Sequence, residues 1–154
     1  MSELQPGDRA PDFDLPADGG GRARLADFVG REVVLYFYPK DDTSGCTSEA
    51  KAFTELAPKF AEAGAVVVGV SKDSPRSHDK FKAKYGLEVV LASDEDTAVM
   101  QAYGVWVEKS MYGRKYMGAE RATFLIGADG AVRQAWRNVK VPGHAEAVLK
   151  AVEG

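Results

Sequence analysis

The chain carries a single cysteine, Cys46, in the run YFYPKDDTSGCTSEA. That run reads as the end of a buried strand, a short polar loop and the start of a helix. A thiol at the first turn of a helix sits in the field of unpaired backbone N–H groups, which favours the thiolate, the nucleophilic form. A lone cysteine is commonly a small buried hydrophobe instead. Three neighbours point to the nucleophile. The loop is short and polar, which predicts an exposed loop–helix junction for Cys46. Gly45 lets a small ligand approach the backbone closely. Thr43, three residues before the thiol, can donate its hydroxyl to a thiolate or a substrate oxygen. Glu49, one turn into the helix, carries a charge that suits a helix start.

The elements that must hold this junction are legible in the apolar pattern. Residues 32–38 (EVVLYFY) are nearly all apolar, as a central strand covered on both faces should be, and Pro39 closes them. A helical spacing follows over 46–63, through Phe53, Leu56, Ala57, Phe60 and Ala61, with Pro58 predicting a kink or break. Gly64 ends it and 65–70 reads as a second buried strand. Pro75 opens a helix that runs to Gly86. Residues 89–92 read as a short strand and 96–103 as a short helix. Two strands, 122–126 and 132–136, flank Asp129-Gly130, a strong hairpin signal. Residues 142–152 form an amphipathic helix with Ala147, Val148 and Ala151 on one face. Gly19-Gly20-Gly21 reads as a surface turn. The order predicts one α/β domain over residues 1–154, a mixed sheet flanked by helices.

Composition bounds the partners. At 154 residues and net charge −3, with charges interspersed, no nucleic-acid footprint is expected. The longest apolar runs are strand-sized, so no membrane partner is expected, and residues 1–13 lack the apolar core of a secretory signal. One cysteine forbids an intrachain disulfide and an all-cysteine zinc site. A cytoplasmic protein without metal or cofactor is the expectation.

The frame Pro39, Thr43, Cys46 matches PxxxTxxC, the peroxiredoxin signature. LQPGDRAPDFDLP, VVLYFYPKDDTSGCT, GVSKDSPRSHDKF, AYGVWVEKSMYGRKYMG, RATFLI and VKVPGH follow in the order found in the bacterioferritin comigratory, or peroxiredoxin Q, subfamily, which the chain resembles along nearly its whole length. The resemblance implies a thioredoxin-like fold and thiol-dependent reduction of hydroperoxides. In that chemistry the Cys46 thiolate attacks a peroxide oxygen and becomes a sulfenic acid. Negative charge spreads over sulfur and two oxygens, so donors must sit where it develops. The backbone N–H groups of Gly45 and Cys46 and the Thr43 hydroxyl are the expected donors, and Pro39 shapes the loop and shields the thiolate. By resemblance, Arg121 supplies the cation. Glu49 is read as a helix cap or as the residue that orients Arg121, beside the substrate with Gly45. His78 and His144 read as surface residues. The resemblance also places Trp106, Met111, Tyr112 and Tyr116 close to the pocket, with ordinary hairpin packing an equal reading for each.

Two departures matter. Similar chains carry a resolving cysteine at the position of Lys51, or in the following helix near Lys82, and neither is cysteine here. The implied cycle therefore uses an external thiol: glutathione with a glutaredoxin, a low-molecular-weight thiol, or a thioredoxin-type protein. Ser44 stands where relatives usually have proline, which predicts a less rigid loop. The competing readings are a peroxide sensor or relay with slow turnover, and a thiol–disulfide oxidoreductase, which the absence of C-x-x-C opposes. No exposed apolar patch is legible, so a monomer is expected.

Overall fold

In the computed structural model, which describes residues 4–154, a short hairpin of β1 (Asp14–Pro16) and β2 (Arg22–Arg24) leads into β3 (Glu32–Phe37). Residues 1–3 of the N-terminal stretch read above lie outside the described residues. Two helices follow, α1 (Ser44–Glu55) and α2 (Ala57–Glu62), and then β4 (Ala65–Ser71), α3 (Pro75–Tyr85), β5 (Val90–Ser93) and α4 (Ala98–Ala102). A ribbon of β6 (Trp106–Met111) and β7 (Arg114–Ala119) precedes β8 (Ala122–Ile126), β9 (Val132–Trp136) and α5 (His144–Glu153). The main sheet runs β5-β4-β3-β8-β9, parallel across its first three strands and antiparallel across β8 and β9. Among the described residues, no helix is long and apolar enough to cross a membrane.

The alternation of β3 builds two cores. Val33, Leu35 and Phe37 face one side, packing with Phe124, Met100 and Tyr103. Val34, Tyr36 and Tyr38 face the other, where they meet Cys46, Ala50 and Phe53 of α1, Phe81 of α3 and Val148 of α5. On α5 the covered face is Ala145, Val148, Leu149 and Val152, while Ala147 is exposed, so the stripe anticipated from sequence is rotated. The break anticipated at Pro58 falls at Leu56, where α1 gives way to α2, and Pro58 sits in the first turn of α2.

The two histidines are buried, not on the surface. His78 is fully enclosed on α3, with Nε2 2.9 Å from the Ala92 carbonyl and Nδ1 2.7 Å from Asp41 Oδ2. Asp41 also accepts from Tyr38 (2.6 Å) and Ser77 (2.8 Å), and its backbone N–H donates to Asp73. The next residue, Asp42, is left-handed at φ 58° and accepts from Lys84 and Tyr85. Two consecutive aspartates thus moor the loop before α1 to α3. His144 opens α5 beneath the sheet, its Nε2 2.7 Å from Thr123 Oγ1, and burial, reinforced by Arg121, lowers its pKa to about 4. Each histidine finds its main partner far away in sequence, which local pattern does not encode.

Gly69 fixes how α1 seats on the sheet. It pairs with Tyr36 across β3 and β4, and a Cβ there would lie 2.6 Å from the Tyr36 ring. That ring stacks on Phe53 of α1 at 4.7 Å. Gly69→Ala should therefore destabilise the protein by about 2–3 kcal/mol through overpacking. Urea unfolding would measure this, and the loss should shrink in a Tyr36→Leu background.

Candidate active site

Thr43 is the N-cap of α1, and the first helical bond runs from Thr47 N–H to the Thr43 carbonyl at 2.8 Å. The N–H groups of Ser44, Gly45 and Cys46 therefore have no acceptor within the helix. They form the electropositive end at which the thiol sits. Cys46 is only 2% exposed, against the exposed junction anticipated. The cause lies in the helix stripe: Cys46, Ala50 and Phe53 recur at i, i+4 and i+7 and pack together on the Tyr36 face of the sheet.

One cation reaches the sulfur. Arg121, immediately before β8, places Nη2 3.4 Å from Cys46 Sγ and Nη1 2.7 Å from Glu49 Oε1. The guanidinium fork thus spans a sulfur and a carboxylate, as its fixed geometry allows. Burial works against the Arg121 charge, but Glu49 and Cys46 outweigh it and raise its pKa. Glu49 is 1% exposed and its Oε2 has no hydrogen-bond partner. Burial raises its pKa to about 7 against the pull of Arg121. Glu49 is thus paired with Arg121 through Oε1 and lies beyond the first turn of α1.

Gly45 has a tighter role than ligand access. A Cβ there would stand 3.1 Å from Arg121 Nη2, so the missing side chain makes room for the guanidinium. Thr43 Oγ1 donates to the Lys40 carbonyl at 2.8 Å, which engages its proton within the loop. Pro39 is exposed and lines the mouth of a groove with Val107, Lys109 and Arg121. Of the aromatic-rich stretch, Trp106 turns towards the core with Lys72 Nζ over its ring, while Met111, Tyr112 and Tyr116 are exposed. None of the four lines the groove; their strand neighbours Val107 and Lys109 do. Lys109 escaped the sequence reading, although alternation with Val107 along a strand was a signal for it. Among the described residues, no cluster of His, Cys, Asp and Glu is arranged to hold a metal.

The chain has close counterparts in sequence and fold. The AhpC/TSA family model matches residues 6–135. Peroxiredoxin Bcp of Xanthomonas campestris is 51% identical over 146 residues, covering 94% of this chain and 91% of the relative. A structure of the bacterioferritin comigratory protein of Xanthomonas campestris, described for its alkyl peroxide reduction activity in trapped intermediate and ligand complexes, superposes with TM-score 0.88 at 49% identity, covering 92% and 90% of the two chains. A cysteine-to-serine variant of Xylella fastidiosa PrxQ superposes at TM-score 0.93 with 43% identity, covering 99% and 98%. The thioredoxin-like fold implied by the sequence is thereby borne out.

Glu49 makes stability depend on pH. Its folded pKa lies above its ordinary 4.5, so the folded state holds the proton more tightly than the unfolded state. Stability from this group is full at low pH and declines as pH rises from about 4.5 to about 7, by up to about 3 kcal/mol. Glu49→Gln should lack this decline. Urea titrations of both proteins across pH 4–8 would show it, and parallel pH curves would refute it.

Proposed function

Because the chain belongs to the AhpC/TSA family as a peroxiredoxin of the Bcp, or peroxiredoxin Q, type, we propose that it works as a single domain with a one-cysteine cycle centred on Cys46. It is a thiol peroxidase, and hydroperoxides, hydrogen peroxide and organic forms alike, are the substrates of this reading. The observation that carries it is the contact of Arg121 Nη2 with Cys46 Sγ at 3.4 Å, backed by Glu49.

The Cys46 thiolate attacks one oxygen of the hydroperoxide and the O–O bond breaks. Sulfur keeps a hydroxyl as sulfenic acid, and water or an alcohol leaves after taking up a proton. The N–H groups of Gly45 and Cys46 and the Arg121 fork lie where charge develops on the two oxygens. Thr43 joins them by turning its hydroxyl from the Lys40 carbonyl to the peroxide. Pro39 and the enclosing core keep water from the sulfur, which strengthens each of these contacts.

The chain holds no second sulfur from cysteine, so the reductant comes from outside. One thiol attacks Cys46 Sγ and expels water to give a mixed disulfide; a second releases Cys46 and leaves as the disulfide. Glutathione with glutaredoxin, a smaller thiol or a thioredoxin-type protein meets this requirement, and the reducing cytoplasm is where we place the protein. A monomer suffices. The exposed Met111, Tyr112, Tyr116 and Met117 belong to the β6–β7 ribbon, and the strand register divides them between its two faces and its turn, so they do not form one patch.

Peroxide consumption with excess dithiothreitol tests the assignment. Cys46→Ser should abolish it, and Arg121→Met should slow the peroxide step about 10²-fold, the scale for losing one donor to developing charge. Consumption unchanged by Cys46→Ser would overturn the catalytic role, and a single turnover without recycling would favour the sensor. A long-lived sulfenic acid should also be vulnerable. Intact-mass titration with peroxide at low thiol should show sulfinic acid on Cys46, and its absence at large peroxide excess would argue for a hidden resolving route.

A further inference from the structure

The groove that Arg121 shares with Pro39 contains two cations whose charge the peroxide step does not use, Arg137, which is paired with Glu120, and Lys109. Lys109 lies on β6 and lines the groove with Pro39, Val107 and Arg121. Its stem crosses Gly118 of β7, where a Cβ would come within 3.2 Å of Lys109 Cδ and 3.4 Å of the Tyr116 ring. The bare glycine and the flanking tyrosine thus direct the stem. The side chain is within electrostatic reach of both Arg121 and Cys46. Burial lowers its pKa, as does Arg121, while Cys46 and Glu120 act the other way.

No carboxylate lies within 4 Å of Lys109 Nζ among the described residues. The two acids that share the groove are engaged elsewhere. Glu120 is held through both oxygens by Arg137, and Glu108 faces Lys115 at 3.7 Å. In the reduced site Arg121 contacts Cys46 Sγ and Glu49, and Lys109 lies within electrostatic reach of Arg121 and Cys46. Oxidation to sulfenic acid removes the charge on sulfur. Whatever the protonation of Glu49, the surroundings of Arg121 and Lys109 become more positive by one unit at the moment the external thiol must enter. An anion is then drawn to the site by simple Coulomb attraction, and Lys109, which feels Glu120 only at longer range and has no carboxylate in contact among the described residues, is the cation left to pair with it.

We propose that Lys109 is a recognition residue for the carboxylate of an incoming small thiol, so that the groove is the reductant's subsite. The inference rests on the external-thiol reading above and adds to it the chemical class of the reductant: a low-molecular-weight thiol carrying a carboxylate. The carboxylate pairs with the Lys109 ammonium; the thiol end attacks Cys46 Sγ and its proton goes to the departing hydroxyl, so the S–O bond breaks, water leaves and the mixed disulfide forms. A carboxylate-bearing hydroperoxide presents the same anion, and the test separates the two sources.

The experiment follows recovery of Cys46 thiol in peroxide-oxidised protein. It compares 3-mercaptopropionate with 2-mercaptoethanol at equal thiolate concentration and low salt. In the unaltered protein the carboxylate thiol should react faster. The ratio should fall about three- to tenfold in Lys109→Met, the scale of one half-buried ion pair, and persist in Lys109→Arg. Added salt should lower it in the unaltered protein. An equal ratio in all three proteins overturns the inference. If instead Lys109→Met lowers the preference of reduced protein for linoleic acid hydroperoxide over cumene hydroperoxide, and leaves the thiol ratio intact, the subsite belongs to the peroxide and its assignment to the reductant is overturned. If neither thiol restores Cys46 in the unaltered protein, the external-thiol reading itself fails and the subsite with it.

Discussion

A guanidinium held between a sulfur and a buried carboxylate is the constraint around which the rest of this molecule is arranged. Arg121 reaches Cys46 and Glu49 at once, and all three sit where water is largely excluded. Such a group is stable only if its positions are fixed from several directions, because an unpaired buried charge is costly. The sheet supplies Arg121 immediately before β8, antiparallel to β3, whose far end delivers the loop to α1. The helix supplies Cys46 and Glu49 on one side, and Gly45 clears the space between.

The second requirement is that the start of α1 stay in place, and here the polar interior matters. Asp41 and Asp42 attach the loop to Tyr38, Ser77, His78, Lys84 and Tyr85 through side-chain contacts. Serine at position 44 removes one source of backbone stiffness, but these attachments lie just upstream and restrain the same segment. The strain of a left-handed Asp42 is offset by the two donors its carboxylate gains.

Much of this was legible in the residues. The central strand, the second strand and the Asp129-Gly130 hairpin announce themselves because burial on both faces or a tight turn demands particular residue types. The β1–β2 hairpin did not, since three-residue strands are too short to display a period. In the site, Cys46, Thr43, Gly45 and Arg121 were reached, the last only through resemblance, because its contact with sulfur spans 75 residues. The burial of Cys46, His78 and His144 was missed for the same physical reason: a single polar or small residue carries no periodic signature of its surroundings. Lys109 was hidden in an exposed ribbon where charge is ordinarily only solvated.

The lysines at positions 51 and 82 bear on how such a chain changes over generations. Lys82 Nζ lies 2.7 Å from Asp18, whose other oxygen accepts from the Leu91 N–H at the edge strand, and Lys51 sits over the Tyr85 ring. Both positions are occupied by lysines with partners in the scaffold. Installing a built-in resolver would require more than one codon, since a cysteine at 82 would strip the counter-charge from a half-buried aspartate that spans α3 and β5. Position 82 is thus wired into the scaffold: its charge belongs to the tie that Asp18 makes between α3 and β5.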